Sequence, residues 1–350
     1  MTEKEFGCFI AKLIEKNDLT KDEALASFVD IVENRQNEIQ QGAFLAALSS
    51  KGVTSSEISA AWQTIYDFDT VQVSLDTSLP VVENCGTGMD TIKTFNISTA
   101  ASIIAAADGV AMARHGARAI TSKCGTIDII EELGVNVECS PSVVKKSIET
   151  AGIGVFNGNS AQVHPKALGR ILSKLRFGTV LNIAASLANP VLPKLAVRGV
   201  NKAEMLMPTI IAMKEIGFWR AIVVYGEAES GIKGGIDEAS TMGRSHICEL
   251  CADGSIRQYE INPEQFGIRC TQSADLLMGP DKKSEAKRLI NLLAGQETPE
   301  RTEIVCLNTA LILYLAGRQP TIRDGYDRAV TLLSTDKPLH KLEEWRYAQQ

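Results

Sequence analysis

The sequence predicts an α/β protein, with a mostly parallel central sheet carrying helices on both faces and a small all-helical layer ahead of it. Three observations predict it. From about residue 78 onward, apolar strand-like runs alternate with helical stretches, the rhythm of a parallel sheet. Two glycine- and hydroxyl-rich segments each connect such a run to the start of a helix. Residues 1–68, by contrast, read as four short helices. In that layer Thr2, Thr20 and Thr54 each stand three residues before a glutamate (Glu5, Glu23, Glu57), the capping-box pattern ahead of an apolar-periodic run. Phe6, Phe9, Ile10 and Leu13 make the first apolar stripe, Leu25, Phe28, Val29 and Val32 the second, and Gly52 sits where a C-terminal cap belongs.

The elements that follow are read in order. Val81-Val82 is a strand, 99–108 a helix, Val110–Ala113 a strand, 126–133 a helix, and Val135–Val137 a further strand. Pro165–Leu175 is helical, its start marked by His164-Pro165, and Asn189-Pro190 ends the next apolar segment. Ala203–Ile216 is a helix that leads to a strand at 221–225. Two runs, 245–251 and 256–261, flank an Asp253-Gly254 turn and read as a β-hairpin. Three closing helices are expected at 275–295, 301–317 and 321–334.

Composition narrows the function classes. At 350 residues, with 45% hydrophobic and 22% charged residues, the chain suits an extensive buried core. A net charge of −6 supplies no polyanion-seeking field, so nucleic acid is an unexpected partner. No apolar run approaches a membrane span, and Met1–Glu5 lacks the pattern of a signal peptide; the expected compartment is the cytosol. The eight scattered cysteines are then expected to be reduced. His246-x-Cys248-x-x-Cys251 resembles a metal clamp, but positions three apart on a strand point to opposite faces, which argues against zinc.

Chemistry concentrates in three segments. Cys85–Thr99 packs Gly86, Gly88, Asp90, Asn96 and several hydroxyls between a strand and the helix that starts near Ala100. Glycine lets backbone N–H groups approach closely and a helix N-terminus carries partial positive charge, so this is an anion site. It is neither the GxxxxGK[ST] loop nor a GxGxxG fingerprint. Arg114–Asp128 repeats the arrangement, with Arg114, Arg118 and Lys123 around Gly116 and Gly125. The third segment follows a strand at Ile222–Gly226 and ends in Asp237-Glu238, hard oxygen donors suited to Mg²⁺ partly held by substrate phosphates. No Ser-His-Asp or Cys-His constellation stands out, which fits chemistry done by positioning and electrostatics without a protein nucleophile.

These segments, GTGMDTIKTFNIST, RHGARAITSKCGTID and GGIDEAS, resemble the three motifs of the anthranilate phosphoribosyltransferase family (glycosyltransferase family 3, nucleoside phosphorylase-like superfamily), in order and over essentially the whole chain. The resemblance implies Mg²⁺-dependent transfer of phosphoribosyl from phosphoribosyl pyrophosphate (PRPP) to an aromatic amine, anthranilate by default, as in tryptophan biosynthesis. It implies a helical domain at 1–75, joined by a helical segment at about 165–190, and an α/β domain of the phosphoribosyltransferase type at 76–350. It implies a homodimer. Carried over by position, Gly86, Asp90, Thr94, Asn96, Ser98, Thr99, Arg114, Thr121, Ser122 and Thr126 would contact PRPP. Ser98, Asp237 and Glu238 match the metal positions. Gly86, His115, Ala117 and Leu172, with Arg170 and Arg176 nearby, fall on the acceptor side. Two other readings share the fold: a nucleoside phosphorylase-like enzyme, and a non-catalytic paralogue that binds nucleic acid or protein.

The departures from the family pattern fall mainly on the acceptor. Ala117 stands for the asparagine that contacts anthranilate, and Leu172 for the arginine that faces its carboxylate. Met89 replaces the second glycine of GTGG, Arg114 a lysine and Cys124 a serine, and the loop Glu227–Gly234 is longer than usual. Weaker recognition of a carboxylate is expected.

Overall fold

The computed structural model describes every residue except 78, 91, 119–123, 176 and 270. Four helices open the chain: α1 (Glu3–Ile14), α2 (Lys21–Val32), α3 (Glu38–Lys51) and α4 (Ser55–Asp69). All three threonine–glutamate boxes form; at α1, Glu5 N donates to Thr2 Oγ1 at 3.2 Å while Thr2 N donates to the Glu5 carboxylate at 2.8 Å. Gly52 closes α3 with φ of 92°, a conformation glycine adopts without a Cβ penalty.

Among the described residues the sheet has five parallel strands, β1 (Val81–Cys85), β2 (Ala111–Gly116), β3 (Ile153–Asn157), β4 (Leu195–Gly199) and β5 (Arg220–Glu227). Three short partners extend it antiparallel: β6 (Gly235–Ile236), β7 (Ser245–Leu250) and β8 (Ile256–Ile261). The spatial order is β3-β2-β1-β4-β5-β7-β8, with β6 on β5. The chain therefore leaves β1 in one direction, through β2 and β3, and builds β4 and β5 on the other side. Such a reversal opens a crevice at the carboxyl ends of the two central strands, where ligands bind in open α/β sheets.

Alternate strand residues serve two cores. Val82, Met112, Val197 and Ile222 face α5 (Ile97–Ala107), α6 (Thr126–Glu132) and the C-terminal helices. Ala196, Val223 and Leu250 face the opposite layer, where α1–α4 pack with α8 (Leu168–Leu175), α9 (Val180–Leu187) and α10 (Leu206–Ile216). Between these layers Arg198 and Glu83, both wholly buried, lock β4 to β1 at 3.0 Å, and Asn189 donates to the other Glu83 oxygen.

Four local readings are corrected by the structure. Val135–Val137 is not a strand: Val135 N turns back to Ile130 O and Asn136 N bonds Gln349 O, so the apolar side chains are buried without joining the sheet. The third parallel strand is instead β3, reached through α7 (Pro141–Ala151). The 275–295 helix is broken into α11 (Ser273–Leu276) and α12 (Lys282–Leu293), because Leu277 leaves to form an isolated antiparallel bridge with Thr94. After α13 (Pro299–Leu315) and α14 (Ile322–Leu333) a further closing helix, α15 (Lys337–Ala348), buries Trp345.

The start of α8 is set from far away in sequence. The buried carboxylate of Asp69, the last residue of α4, accepts from the backbone N–H groups of Lys166 (2.5 Å), Ala167 (3.0 Å) and Leu168 (2.8 Å). Asp69→Ala should leave buried donors unpaired and cost about 3 kcal/mol, with Asp69→Asn losing less. Urea denaturation of the three proteins checks this, and equal midpoints would contradict it.

Candidate active site

At the carboxyl end of β1 the crevice opens into a cavity of about 460 Å³, walled by the loops after β1, β2 and β3 and by the helical segment that holds α8 and α9. Its floor carries carboxylates. Ligand oxygens of Asp90, Asp237 and Glu238 all lie within 4.8 Å of one another. β6, pairing back on β5, delivers Asp237-Glu238 to this point.

Three glycines make room for that pair. A Cβ on Gly86 would lie 2.4 Å from the Asp237 carboxylate, one on Gly199 1.5 Å from the Asp237 carbonyl oxygen, and one on Gly226 2.4 Å from that of Glu238. Asp237 in turn holds the first loop, accepting from Gly88 N at 2.7 Å and from Thr87 Oγ1 at 3.2 Å. Crowding shows in the titration of the carboxyls. Burial first, then the neighbouring Asp237, pushes Asp90 up to about 7 against the pull of Lys93, whose ammonium lies 3.0 Å away. Burial and the same neighbours hold Glu238 well above the usual carboxylate range. Glu238 Oε2 is buried without a hydrogen-bond partner among the described residues. Hard oxygen donors this close, with one unpartnered oxygen, fit Mg²⁺.

The first loop runs onto α5, whose N-terminus is not capped by the side chain of its N-cap residue, Asn96. Asn96 Oδ1 accepts from Thr99 Oγ1 at 2.6 Å and from no backbone amide of that turn, so the helix start is left to an anion. Gly86, Asp90, Thr94, Asn96, Ser98 and Thr126 line the cavity. Two donor-side residues do not. Arg114 is buried and points behind the wall, donating to Thr99 Oγ1 at 2.6 Å and Ser98 Oγ at 3.0 Å. Burial pulls it down to about 10, still cationic at neutral pH. Thr99 is spent on this network. The guanidinium, longer and forked where the resembled motif has lysine, clamps the helix start from inside. Ser98 thus serves Arg114, and the third carboxylate beside Asp237 and Glu238 is Asp90. Thr121, Ser122 and Arg176 lie outside the described residues.

On the acceptor side Ala117 and Leu172 line the cavity. Arg170 is turned away: its guanidinium donates to Gln41 Oε1 at 3.1 Å and Ile31 O at 2.8 Å, tying α8 to the N-terminal helices. Cationic side chains on the described wall are Lys93, bonded to Asp90 and Gly88 O, and Arg118, held by Asp128, Glu131 and Glu138. Sequence reading passed over Lys93, although its place three residues after Asp90 was a usable signal. It also passed over His164, whose role depends on a fold-level contact: Nε2 lies 3.0 Å from His115 Nε2, and Nδ1 lies 2.9 Å from Asp69 O. Donation to that carbonyl puts the proton on His164 Nδ1, so His115 Nε2–H donates to His164 Nε2. His115 Nδ1 is buried and makes no hydrogen bond among the described residues.

Burial chiefly drives both imidazoles below their ordinary value of 6.5, His115 far below. A folded-state pKa that is depressed contributes stability above the unfolded pKa and loses it as pH falls. The melting temperature should therefore drop as pH falls below about 6.5, with a shallower slope in His115→Gln/His164→Gln. An unchanged slope in the double variant would contradict the assignment.

In the hairpin, His246 stands between Glu227 and Glu260, while Cys248 Sγ lies 3.6 Å from Met207 Sδ on the apolar side. Among the described residues no helix is long and apolar enough to cross a membrane.

Two family models match the chain: "Glycosyl transferase family, helical bundle domain" over residues 8–68, and "Glycosyl transferase family, a/b domain" over residues 78–338. Over 342 residues the chain is 36% identical to anthranilate phosphoribosyltransferase of Prochlorococcus marinus, covering 97% of this chain and 96% of that protein. The chain belongs to the anthranilate phosphoribosyltransferase family. The protein of that name from Methanobrevibacter smithii is 34% identical over 96% of this chain and 97% of its own length. The crystal structure of the Thermus thermophilus member superposes with a TM-score of 0.86 at 28% identity, covering 97% of this chain and 99% of that one. The Saccharomyces cerevisiae member in complex with PRPP and Mg shares the fold at 21% identity, with a TM-score of 0.84 over 99% and 98% of the two chains. The family is one of pentosyltransferases, so the chain is an enzyme by descent.

Proposed function

We propose that this member of the anthranilate phosphoribosyltransferase family transfers the phosphoribosyl group of PRPP to an aromatic amine with Mg²⁺ as cofactor, anthranilate being the acceptor that names its relatives. The observation that carries the reading is the cluster of Asp90, Asp237 and Glu238 at the strand-order reversal, beside the uncapped start of α5. When bound, Mg²⁺ would supply charge neutralisation to the departing pyrophosphate. Asp237, Glu238 and Asp90 would hold it.

The chain's own part is positional. The backbone around Gly86 and the amides at the start of α5 receive phosphate oxygens, favoured by the helix dipole. Lys93 lies at the same wall, free to exchange its carboxylate partner for a phosphate. The transition state resembles the oxocarbenium ion of glycoside cleavage, and the protein lowers its energy by orientation and fixed charge. His115, neutral and oriented by His164, lines the same cavity and helps fix its shape.

The test is a thermal shift: PRPP should raise the melting temperature, and more so with Mg²⁺, because a ligand of the native state alone stabilises it. No shift at about millimolar PRPP would overturn the reading. The active species is a homodimer joined through the N-terminal helices, where Ile14 and Ile39 are 65% and 85% exposed. Light scattering at about micromolar protein that returned a monomer would contradict it.

A further inference from the structure

The first loop and the helical segment meet across the mouth of the cavity through one side chain. Met89 reaches from the loop to the turn before α9. A Cβ built on Gly178 would lie 2.4 Å from Met89 Sδ and 3.0 Å from its Cγ. The thioether thus occupies the space a side chain at 178 would need. Met89 packs against the helical core with Leu172 and Leu175, and both Met89 and Gly178 line the cavity beside Leu168 and the half-exposed Phe177. The backbone of Met89 is tied as well, its carbonyl accepting from Asn201 Nδ2 at 3.4 Å. One residue before Asp90, this side chain is fixed to the carboxylate end of the site at its root and to the helical wall at its tip.

Pyrophosphate leaves toward the carboxylates, so the acceptor must enter from the opposite, helical wall. There it meets Met89. We propose that Met89, seated over Gly178, is the specificity-determining residue that limits the acceptor to a single flat aromatic ring. The proposal rests on the transferase reading above. The thioether is apolar and polarisable, suited to a ring edge, and it offers no hydrogen bond to a charged substituent. Its position depends on Gly178. Any Cβ there must displace the methionine tip, and because the helical core is filled behind it, the free direction is into the cavity.

The reciprocal dependence gives the experiment. Wild type, Met89→Gly, Gly178→Ala and the double variant are compared for acceptor KM and kcat/KM, using anthranilate and a two-ring aminonaphthalene carboxylate. PRPP binding with Mg²⁺ is measured by calorimetry on each. Met89→Gly should raise relative kcat/KM for the two-ring acceptor about tenfold, the scale on which apolar pockets discriminate size. Gly178→Ala should raise acceptor KM about tenfold by pushing the thioether inward, and Met89→Gly should rescue it. PRPP affinity should stay within about twofold throughout, since neither side chain joins the carboxylates. Thermal denaturation reports whether each variant folds; if Gly178→Ala does not, Met89→Gly and Met89→Ala still read acceptor preference. An unchanged preference in Met89→Gly with PRPP binding intact overturns the gate alone. Equal harm from Gly178→Ala in both backgrounds overturns it too. Absence of PRPP binding in wild type overturns the transferase reading and this proposal with it.

Discussion

Asp237→Asn with Glu238→Gln should abolish the Mg²⁺-dependent part of PRPP binding and lower turnover by about a thousandfold or more, the loss seen when groups that stabilise developing charge are removed. The amides keep shape and most packing, so Asp237's link to the first loop through Thr87 and Gly88 is strained only mildly. Stability should move the other way. Asp90 and Glu238 are held above the usual carboxylate range first by burial and then by the like charges crowded beside them. Neutralising two of the three relieves that repulsion, and the metal-free variant should melt at the same temperature as wild type or higher. Gain of stability with loss of function is what a site built for charge predicts. Retained Mg²⁺-dependent PRPP binding, measured by calorimetry, would show that the carboxylates are not the metal ligands.

The second large effect concerns the acceptor carboxylate. Leu172 lines the cavity where the resembled motif has arginine, and Arg170 is committed to Gln41 and the Ile31 carbonyl. The described cations on the wall, Lys93 and Arg118, are already paired with carboxylates. Leu172→Arg with Ala117→Asn should therefore raise kcat/KM for anthranilate. A hydrogen bond to a charged group is worth about 1.5–3 kcal/mol, or roughly tenfold to hundredfold. Neutral aromatic amines should gain nothing from the change. Steady-state kinetics on both acceptor classes decide it. Efficient anthranilate turnover by the unmodified protein, with no gain in the variant, would place the carboxylate on another group.

Local signals were the legible ones. The threonine–glutamate boxes, the Asp253-Gly254 hairpin and the two loops onto helices follow from spacing alone, and each formed. What the chain brings together over distance was not legible. Asp69 caps a helix nearly a hundred residues later, and nothing near Lys166 announces it. Arg170 lies two residues from the acceptor position that Leu172 fills, but its guanidinium answers to Gln41 in another layer. Val135 and Val137 have strand composition yet serve a helix end, because burial satisfies them and the backbone is taken by Ile130 and Gln349. Asp90 was read as a donor contact from its motif; its neighbourhood with Asp237 and Glu238 arises only when β6 folds back on β5.

The three glycines beneath Asp237-Glu238 bear on how diverged copies of this gene should be judged. The acids alone are a poor criterion, since their carboxylates reach the crevice only if Gly86, Gly199 and Gly226, at the ends of three different strands, stay bare. A descendant that keeps both acids but gains a methyl at any one of them has lost the geometry while its signature looks intact. The converse also holds: the trio can be scored from sequence, and it registers decay of the site before the acids themselves mutate. In this chain all three are glycine.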